Sequence, residues 1–342
     1  MVKNRRGWRT YFAFGVLAGF LLSFAAPSSA QCEADGDVEF LCGPISPEDL
    51  VQIPDTPWVI VASWEADGYL SAANANSHET LRLFPSPNAN LQHDASVYKE
   101  CSDSISDNFQ AHGMSLRTAK EDDTHTLYVV RHGAREAIEV FDVNSLNSPS
   151  LTWVGCVVAP EGVRMNSVVP LPDGGFGVTS PISGDMWEWH AAAGWSRVPG
   201  SEDIGPNGLE VTADSEWYYV AGYAAQSLLR LSRGQMPVQK QVVANVGFNI
   251  DNIHWSPDGE IFAAGHSTPT RTRIGECIKG INCEGIVSHV AKVNTETGNW
   301  QEIFTYPSND YLRLGTVAIQ VGDELWIGSV AGSTRIARIP AP

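Results

Sequence analysis

Short runs of β-branched and aromatic residues alternate along this chain with turn residues, on a repeating plan. Pro54–Ser63 (PDTPWVIVAS) leads to a run at Thr80–Phe84, and Thr126–Val130 (TLYVV) is followed by Ala137–Val143 (AIEVFDV). Val168–Val178 carries a Pro-Asp173-Gly174-Gly turn ahead of Met186–Trp189, and Leu209–Gly222 carries Ala-Asp214-Ser ahead of Ser227–Leu231. Ile253–Gly265, with Ser-Pro-Asp258-Gly259, leads to Ser288–Val293; Val317–Gly328, with Gly322-Asp323, leads to Thr334–Ile339. Each run alternates apolar and polar positions, the period-2 signature of a strand. Units recurring at intervals of roughly 40–65 residues build solenoids or propellers. No unit holds an uninterrupted helical period, which sets helical repeats aside. Four strands in each of six units predict an all-β, six-bladed β-propeller, whose ring leaves only short protected sheet edges. A two-domain β-sandwich is the competing arrangement, and it has no reason to place special side chains at equivalent points of successive units.

Such side chains are present. Residues just ahead of the innermost strand of each propeller blade converge on the central axis. Here those positions read Ser-Pro-Glu48-Asp49, Ala-His112-Gly-Met114, Met-Asn166-Ser167, Pro-Asn207-Gly, Ile-Asp251-Asn252 and Gly-Thr316-Val. Glu48, Asn166, Asn207, Asp251 and Asn252 offer oxygen ligands only, two of them anionic. That chemistry suits Ca²⁺, which takes six to eight oxygens at flexible geometry. Zn²⁺ would call for His or Cys, and Mg²⁺ for fewer protein ligands and more water. A single Asn or Asp before a strand is an ordinary turn former; five, from four units at corresponding places, form a pattern. Burying Glu48 and Asp251 near one axis without a cation would desolvate two like charges together.

The histidines extend the picture. His112 heads the second unit on the same rim, and His132 lies two residues beyond the apolar run ending at Val130. On adjacent strands of one blade the two come within hydrogen-bonding reach. A lone histidine is ordinarily a satisfied structural residue, whereas a pair beside a cation suits a general base whose proton passes to solvent. His254 and His266 flank the inner strand of the fifth unit; His266 and Thr316 are placed in the pocket. Loops at Glu65–Asn76, Pro181–Trp195 and Ser267–Glu284 are expected over the channel mouth. The second of these carries Trp187, Trp189 and Trp195, which serve either an apolar substrate or ordinary blade packing.

Composition narrows the function classes. With 39 acidic against 22 basic residues the formal net charge is −17. Residues 1–30 contain Lys3, Arg5, Arg6 and Arg9 and no acid, so the remainder is more acidic still and would repel phosphate backbones. No Gly-x-Ser-x-Gly elbow, phosphate loop or dinucleotide fingerprint is present. The first 30 residues have the basic, apolar and small-residue order of an export signal, with cleavage expected near Ala30. The domain plan is therefore a signal at 1–30 and one propeller over 31–342, in a secreted or periplasmic protein; retention of the segment as a membrane anchor is the alternative. Export favours disulfides among the six cysteines. Cys277 with Cys283 makes a loop staple, and the pairings Cys32–Cys42 and Cys101–Cys156 are expected beside it; CxxC-like zinc spacing is absent.

The motifs Glu48-Asp49-Leu, His112-Gly-Met, Val-Val-Arg-His132, Asn166, Pro-Asn207-Gly-Leu with Tyr-Tyr-Val-Ala, Asp251-Asn252-Ile with Ser-Pro-Asp-Gly, Gly-His266 and Thr316-Val-Ala occur in one order over about residues 44–340. In these the chain resembles the paraoxonase family of calcium-dependent lactonases and arylesterases, within the wider gluconolactonase and strictosidine-synthase-like propellers. The resemblance implies a catalytic Ca²⁺ held by Glu48, Asn166, Asn207, Asp251 and Asn252. It implies His112 as the base toward water, with His132 as its relay. A second, structural calcium would use Asp49 and the Met114 carbonyl, although Ser167 stands where the family has an acidic partner. The family's disulfide between the start of the chain and the last strand has no counterpart, since the C-terminus lacks Cys. The expected function is hydrolysis of lactones or aryl esters, small-molecule substrates. The alternatives are a sugar lactonase with a more polar pocket and a non-catalytic ligand-binding propeller.

Overall fold

The computed structural model describes residues 32–101, 108–119, 124–145 and 148–342 together with Met1; the expected export signal lies outside the described residues. Six antiparallel sheets follow one another in the chain. Blade one is Pro47–Gln52, Trp58–Ser63, Leu70–Asn74 and Thr80–Phe84. Blade two is Phe109–Arg117, Thr124–Gly133, Ala137–Asn144 and Ser150–Val158, with Asn90–Leu91 added parallel at its outer edge. Blade three is Val168–Pro170, Phe176–Ser180, Asp185–His190 and Gly194–Arg197. Blade four is Pro206–Val211, Trp217–Gly222, Ser227–Ser232 and Lys240–Asn245. Blade five is Asn249–Trp255, Ile261–Ser267, Val287–Val293 and Trp300–Pro307. Blade six takes Leu314–Val321, Glu324–Val330 and Arg335–Pro340 from the end of the chain and Glu39–Cys42 from its beginning. Each first strand contacts the first strand of the next blade, and the sixth contacts the first. The expected all-β six-bladed propeller is what the chain forms.

Burial follows position in the ring. A second strand such as Trp58–Ser63 is packed between neighbouring blades and is buried throughout, so it reads as one apolar run. The outer strand Trp300–Pro307 is exposed over its first three residues and alternates buried and exposed from Phe304 on, because one face meets solvent. Among the described residues one apolar cluster fills each of the six blade interfaces, with Phe84 and Phe109 meeting between blades one and two and Leu41, Trp326 and Leu50 between blades six and one. The last of these depends on Glu39–Cys42 pairing with Arg335–Pro340, in register Glu39↔Arg338 to Cys42↔Arg335. That closing strand escapes sequence reading because four residues, EFLC, are too few to show a period.

The three expected disulfides, Cys32–Cys42, Cys101–Cys156 and Cys277–Cys283, are all present. Cys32–Cys42 ties residues ahead of the closing strand to its end. Cys277–Cys283 staples a helix, Arg271–Ile278, that the sequence presents as a loop. Among the described residues no helix is long and apolar enough to cross a membrane.

Candidate active site

The inner strands do not run as perfect ladders. Their pairing with the second strand breaks between Pro47 and Asp49, Ala111 and Met114, Pro206 and Leu209, Ile250 and Ile253, and Gly315 and Val317. The residues inside those breaks include Glu48, His112, Asn207, Asp251, Asn252 and Thr316; Asn166 precedes the short inner strand of blade three. A bulge turns a side chain out of the pleat and re-aims it. Here five bulges aim polar side chains at the axis that regular strands would have directed into the blade interfaces. Close approach of neighbouring inner strands requires glycine beside these residues. A Cβ at Gly113 would lie 2.4 Å from the Asn166 carbonyl oxygen, and one at Gly208 would lie 2.6 Å from that of Asp251.

Glu48, His112, Asn166, Asn207, Asp251, His266 and Thr316 line one cavity of about 180 Å³. Asn252 joins them by donating from Nδ2 to Glu48 Oε1 at 2.8 Å, and Thr316 Oγ1 donates to the Glu48 carbonyl at 2.8 Å. Three buried oxygens in this set, Glu48 Oε2, Asn166 Oδ1 and Asn207 Oδ1, accept no hydrogen bond. Burial, then the charges of Asp49 and Asp251, push the Glu48 carboxyl well up from its ordinary range. Burial also raises Asp251, to about 7, against a hydrogen bond from Asn207 that lowers it. A hard cation would satisfy the unpartnered buried oxygens and the destabilised carboxylates of this wall together. The donor set fits Ca²⁺. Among the described residues no three His, Cys, Asp or Glu gather as a metal cluster, so any cation here relies on the amide oxygens.

His112 and His132 sit on paired strands of blade two, His132 inside Thr124–Gly133 and not beyond its end. His112 Nδ1 lies 2.8 Å from His132 Nε2, and His132 Nδ1 lies 2.7 Å from Glu136 Oε2. Direction follows from the carboxylate, which only accepts: His132 donates from Nδ1, so its Nε2 accepts from His112 Nδ1–H. His112 Nε2 is left with its lone pair, 3.4 Å from Asn166 Nδ2 and 3.6 Å from Glu48 Oε1. Burial, then the charges of His132 and Arg164, hold His112 well below the usual imidazole range, so the ring is neutral. Trp64 stacks on it at 5.2 Å between centroids. Glu136 is itself fixed by the Met165 N–H, 2.7 Å from Oε1. Sequence reading missed Glu136, although its spacing of four from His132 across a Gly-containing hairpin was a usable signal. Glu136→Gln, which removes the charge behind the relay, is expected to lower kcat for the reaction proposed below by about 10–100-fold. KM should stay unchanged, and the acid limb of kcat/KM should move to lower pH because the base loses a stabilising anion. A pH profile with an unmoved limb would remove Glu136 from the relay.

The positions expected to hold a second ion, Asp49 and Met114, are engaged with one another and with a histidine. Met114 turns its N–H, not its carbonyl, to Asp49 Oδ2 at 2.7 Å. Asp49 Oδ1 accepts from Leu50 N–H at 2.8 Å and pairs with His254 Nε2 at 2.9 Å. His254 Nδ1 is 3.4 Å from Glu210 Oε1. Burial alone would push this histidine down, but the Asp49 and Glu210 carboxylates outweigh it and hold it up at about 10. A protonated imidazole thus pairs with Asp49 here.

The ends of the second strands form another tier around the cavity, with Trp64, Tyr223, His266 and Val330 at or just beyond them. Ile274 and Ile278 of the stapled helix and Leu314 complete the wall. The tryptophans expected over the mouth are elsewhere. Trp187, Trp189 and Trp195 belong to blade three and pack against its cluster with Tyr128 and Phe176, beside a peripheral groove of about 250 Å³. Their role is blade packing.

These features define a class: six-bladed propellers with an oxygen-lined centre. No protein-family model matches the chain, and no curated protein matches its sequence. Among solved structures the fold is similar to a luciferin-regenerating enzyme (TM-score 0.56, 11% identity, covering 89% of this chain and 95% of that one). It is similar to a gluconolactonase from Xanthomonas campestris (0.54, 12%, 89% of each). It is also similar to regucalcin, a calcium-binding protein from Agrobacterium tumefaciens (0.52, 13%, 87% and 90%). At these identities the likeness is one of fold.

Proposed function

We propose that the protein is a calcium-dependent hydrolase of lactones or esters, as the motifs shared with paraoxonases imply. The observation that carries this reading is the meeting, in one cavity, of three unpartnered buried oxygens with the unprotonated Nε2 of a neutral histidine, whose one hydrogen-bond contact there is a long one from Asn166 Nδ2 at 3.4 Å. Glu48, Asn166, Asn207, Asp251 and Asn252 would hold the cation. When bound, calcium supplies Lewis acidity toward a carbonyl oxygen. The rest of the chemistry belongs to side chains. His112 Nε2 takes a proton from water as the water attacks the carbonyl carbon; His132 Nε2 holds the His112 Nδ1 proton, and Glu136 stabilises the positive charge shared by the two rings. His112 then returns the proton to the leaving alkoxide, and the acid and alcohol ends separate. The Trp64 ring over His112 keeps bulk water from its face.

The solved gluconolactonases favour a second reading, a sugar lactonase working by the same chemistry. The wall formed by Trp64, Ile274, Ile278, Leu314 and Val330 argues for an apolar substrate body instead, because a polyol there would leave hydroxyls unpaired. A panel of aliphatic γ- and δ-lactones, phenyl acetate and gluconolactone, run with and without chelator beside metal analysis, separates the readings. Aliphatic lactones should be turned over, activity should disappear on chelation and calcium should restore it. Preference for gluconolactone would select the second reading; calcium-dependent stability without hydrolysis would make this a binding propeller.

A further inference from the structure

We propose that Tyr223, oriented by His266, is a substrate-positioning residue that accepts a hydrogen bond from an N–H or O–H group borne by the lactone or ester, a specificity that rests on the hydrolase reading above. His266 Nδ1 lies 3.1 Å from the Gly315 carbonyl oxygen, which can only accept, so the proton is on Nδ1. His266 is fully enclosed, and burial holds it down at about 4, leaving Nε2 with a lone pair. Tyr223 O–H therefore donates to that nitrogen, at 2.6 Å. Its only hydrogen is committed, and its oxygen turns lone pairs alone toward the cavity. Burial, then the charge of Asp251, raise the Tyr223 phenol, so it stays protonated.

The residue is also fixed in place. Asn249 Nδ2 donates to the Tyr223 carbonyl at 2.9 Å, and the ring meets His266 edge-on at 5.6 Å. The surrounding wall of Trp64, Ile274, Ile278, Leu314 and Val330 has no side-chain acceptor. Apart from the cation set and His112, the acceptors are Tyr223 and Thr316. Thr316 is 2% exposed and engaged with the Glu48 carbonyl, whereas Tyr223 is the half-buried one. A donor group on an otherwise apolar substrate thus has one place to bind, and a substrate with only acceptors there meets lone pair against lone pair. The substrate class is a lactone or ester with an apolar body and a single hydrogen-bond donor near the reacting carbonyl.

The test compares α-hydroxy-γ-butyrolactone with its O-methyl ether, which keeps the oxygen and lacks the donor, in the parent protein and in Tyr223→Phe. The parent should favour the hydroxy compound by about tenfold in kcat/KM, mostly through KM. Tyr223→Phe keeps the ring and should abolish the preference while sparing turnover of the ether. Long-range ¹H–¹⁵N spectra should find His266 protonated at Nδ1 in both proteins, with Nε2 shifting in the variant as it loses its donor. No preference in the parent, equal loss for both compounds in the variant, or a proton on Nε2 would overturn the proposal while leaving the hydrolase reading intact. A parent that hydrolyses neither lactone would end both.

Discussion

His112→Gln is expected to lower kcat on an aliphatic lactone by about 10²–10⁴-fold, the span that a positioned general base contributes. Calcium affinity should be unaltered. The effect depends on which nitrogen carries the proton. Glu136, His132 and His112 form a chain in which the terminal carboxylate fixes both tautomers and leaves only His112 Nε2 unprotonated at the cavity. Glutamine can fill the space and hydrogen-bond His132, but it cannot hold a second proton. The enzyme should retain binding and lose proton abstraction, so kcat falls and KM does not. Isothermal titration with calcium beside steady-state kinetics checks both halves. Unchanged turnover would show that water is activated elsewhere, and a parallel loss of calcium affinity would make His112 a ligand.

Asp251→Asn should separate stability from metal binding. In the metal-free protein Asp251 is a buried carboxyl raised to about 7, so the amide removes a charge that the fold desolvates at a cost. The metal-free variant should be at least as stable as the metal-free parent. Calcium should then act on the two proteins differently. At free calcium a hundredfold above Kd the parent gains about 2.7 kcal/mol, visible as a rise in Tm. The variant, with Glu48 as its one remaining anionic ligand, should bind at least about 100-fold more weakly and gain at most about 0.4 kcal/mol at the same concentration. Hydrolysis should fall with it. Thermal unfolding with and without chelator distinguishes this from simple damage to the core, because damage would lower Tm in both conditions. A calcium-dependent rise equal to the parent's would remove Asp251 from the ligand set.

The site was legible in part, and the reason is geometric. Glu48, Asn166, Asn207, Asp251 and Asn252 stand immediately ahead of or within inner strands, so a repeat count places them near one axis. Their oxygen chemistry follows from residue type. Trp64, Tyr223 and Glu136 belong to another tier, at the ends of second strands and in a hairpin, where nothing in a one-dimensional pattern separates an axial residue from a packed one. The same ambiguity explains Trp187, Trp189 and Trp195, which an aromatic-rich loop and a blade interface would specify equally well. His254 carries the sharpest lesson. Its sequence position two residues after Asn252 is unremarkable, yet it lies between Asp49 and Glu210, residues 205 and 44 positions away.

By itself the sequence determined six strand-rich units, the turns between them, the oxygen-rich positions that recur at their starts and the short Cys277–Cys283 staple, whereas the pairing of the other four cysteines was an expectation that the structure bears out. Local alternation, turn chemistry and residue type are properties of neighbouring residues. Only the tertiary structure decided that Glu39–Cys42 closes the ring, that bulges swing the polar side chains onto the axis, and which proton each histidine carries. Those outcomes depend on contacts between strands far apart in the chain, where a hydrogen-bond partner's identity, and not its distance in sequence, sets the chemistry.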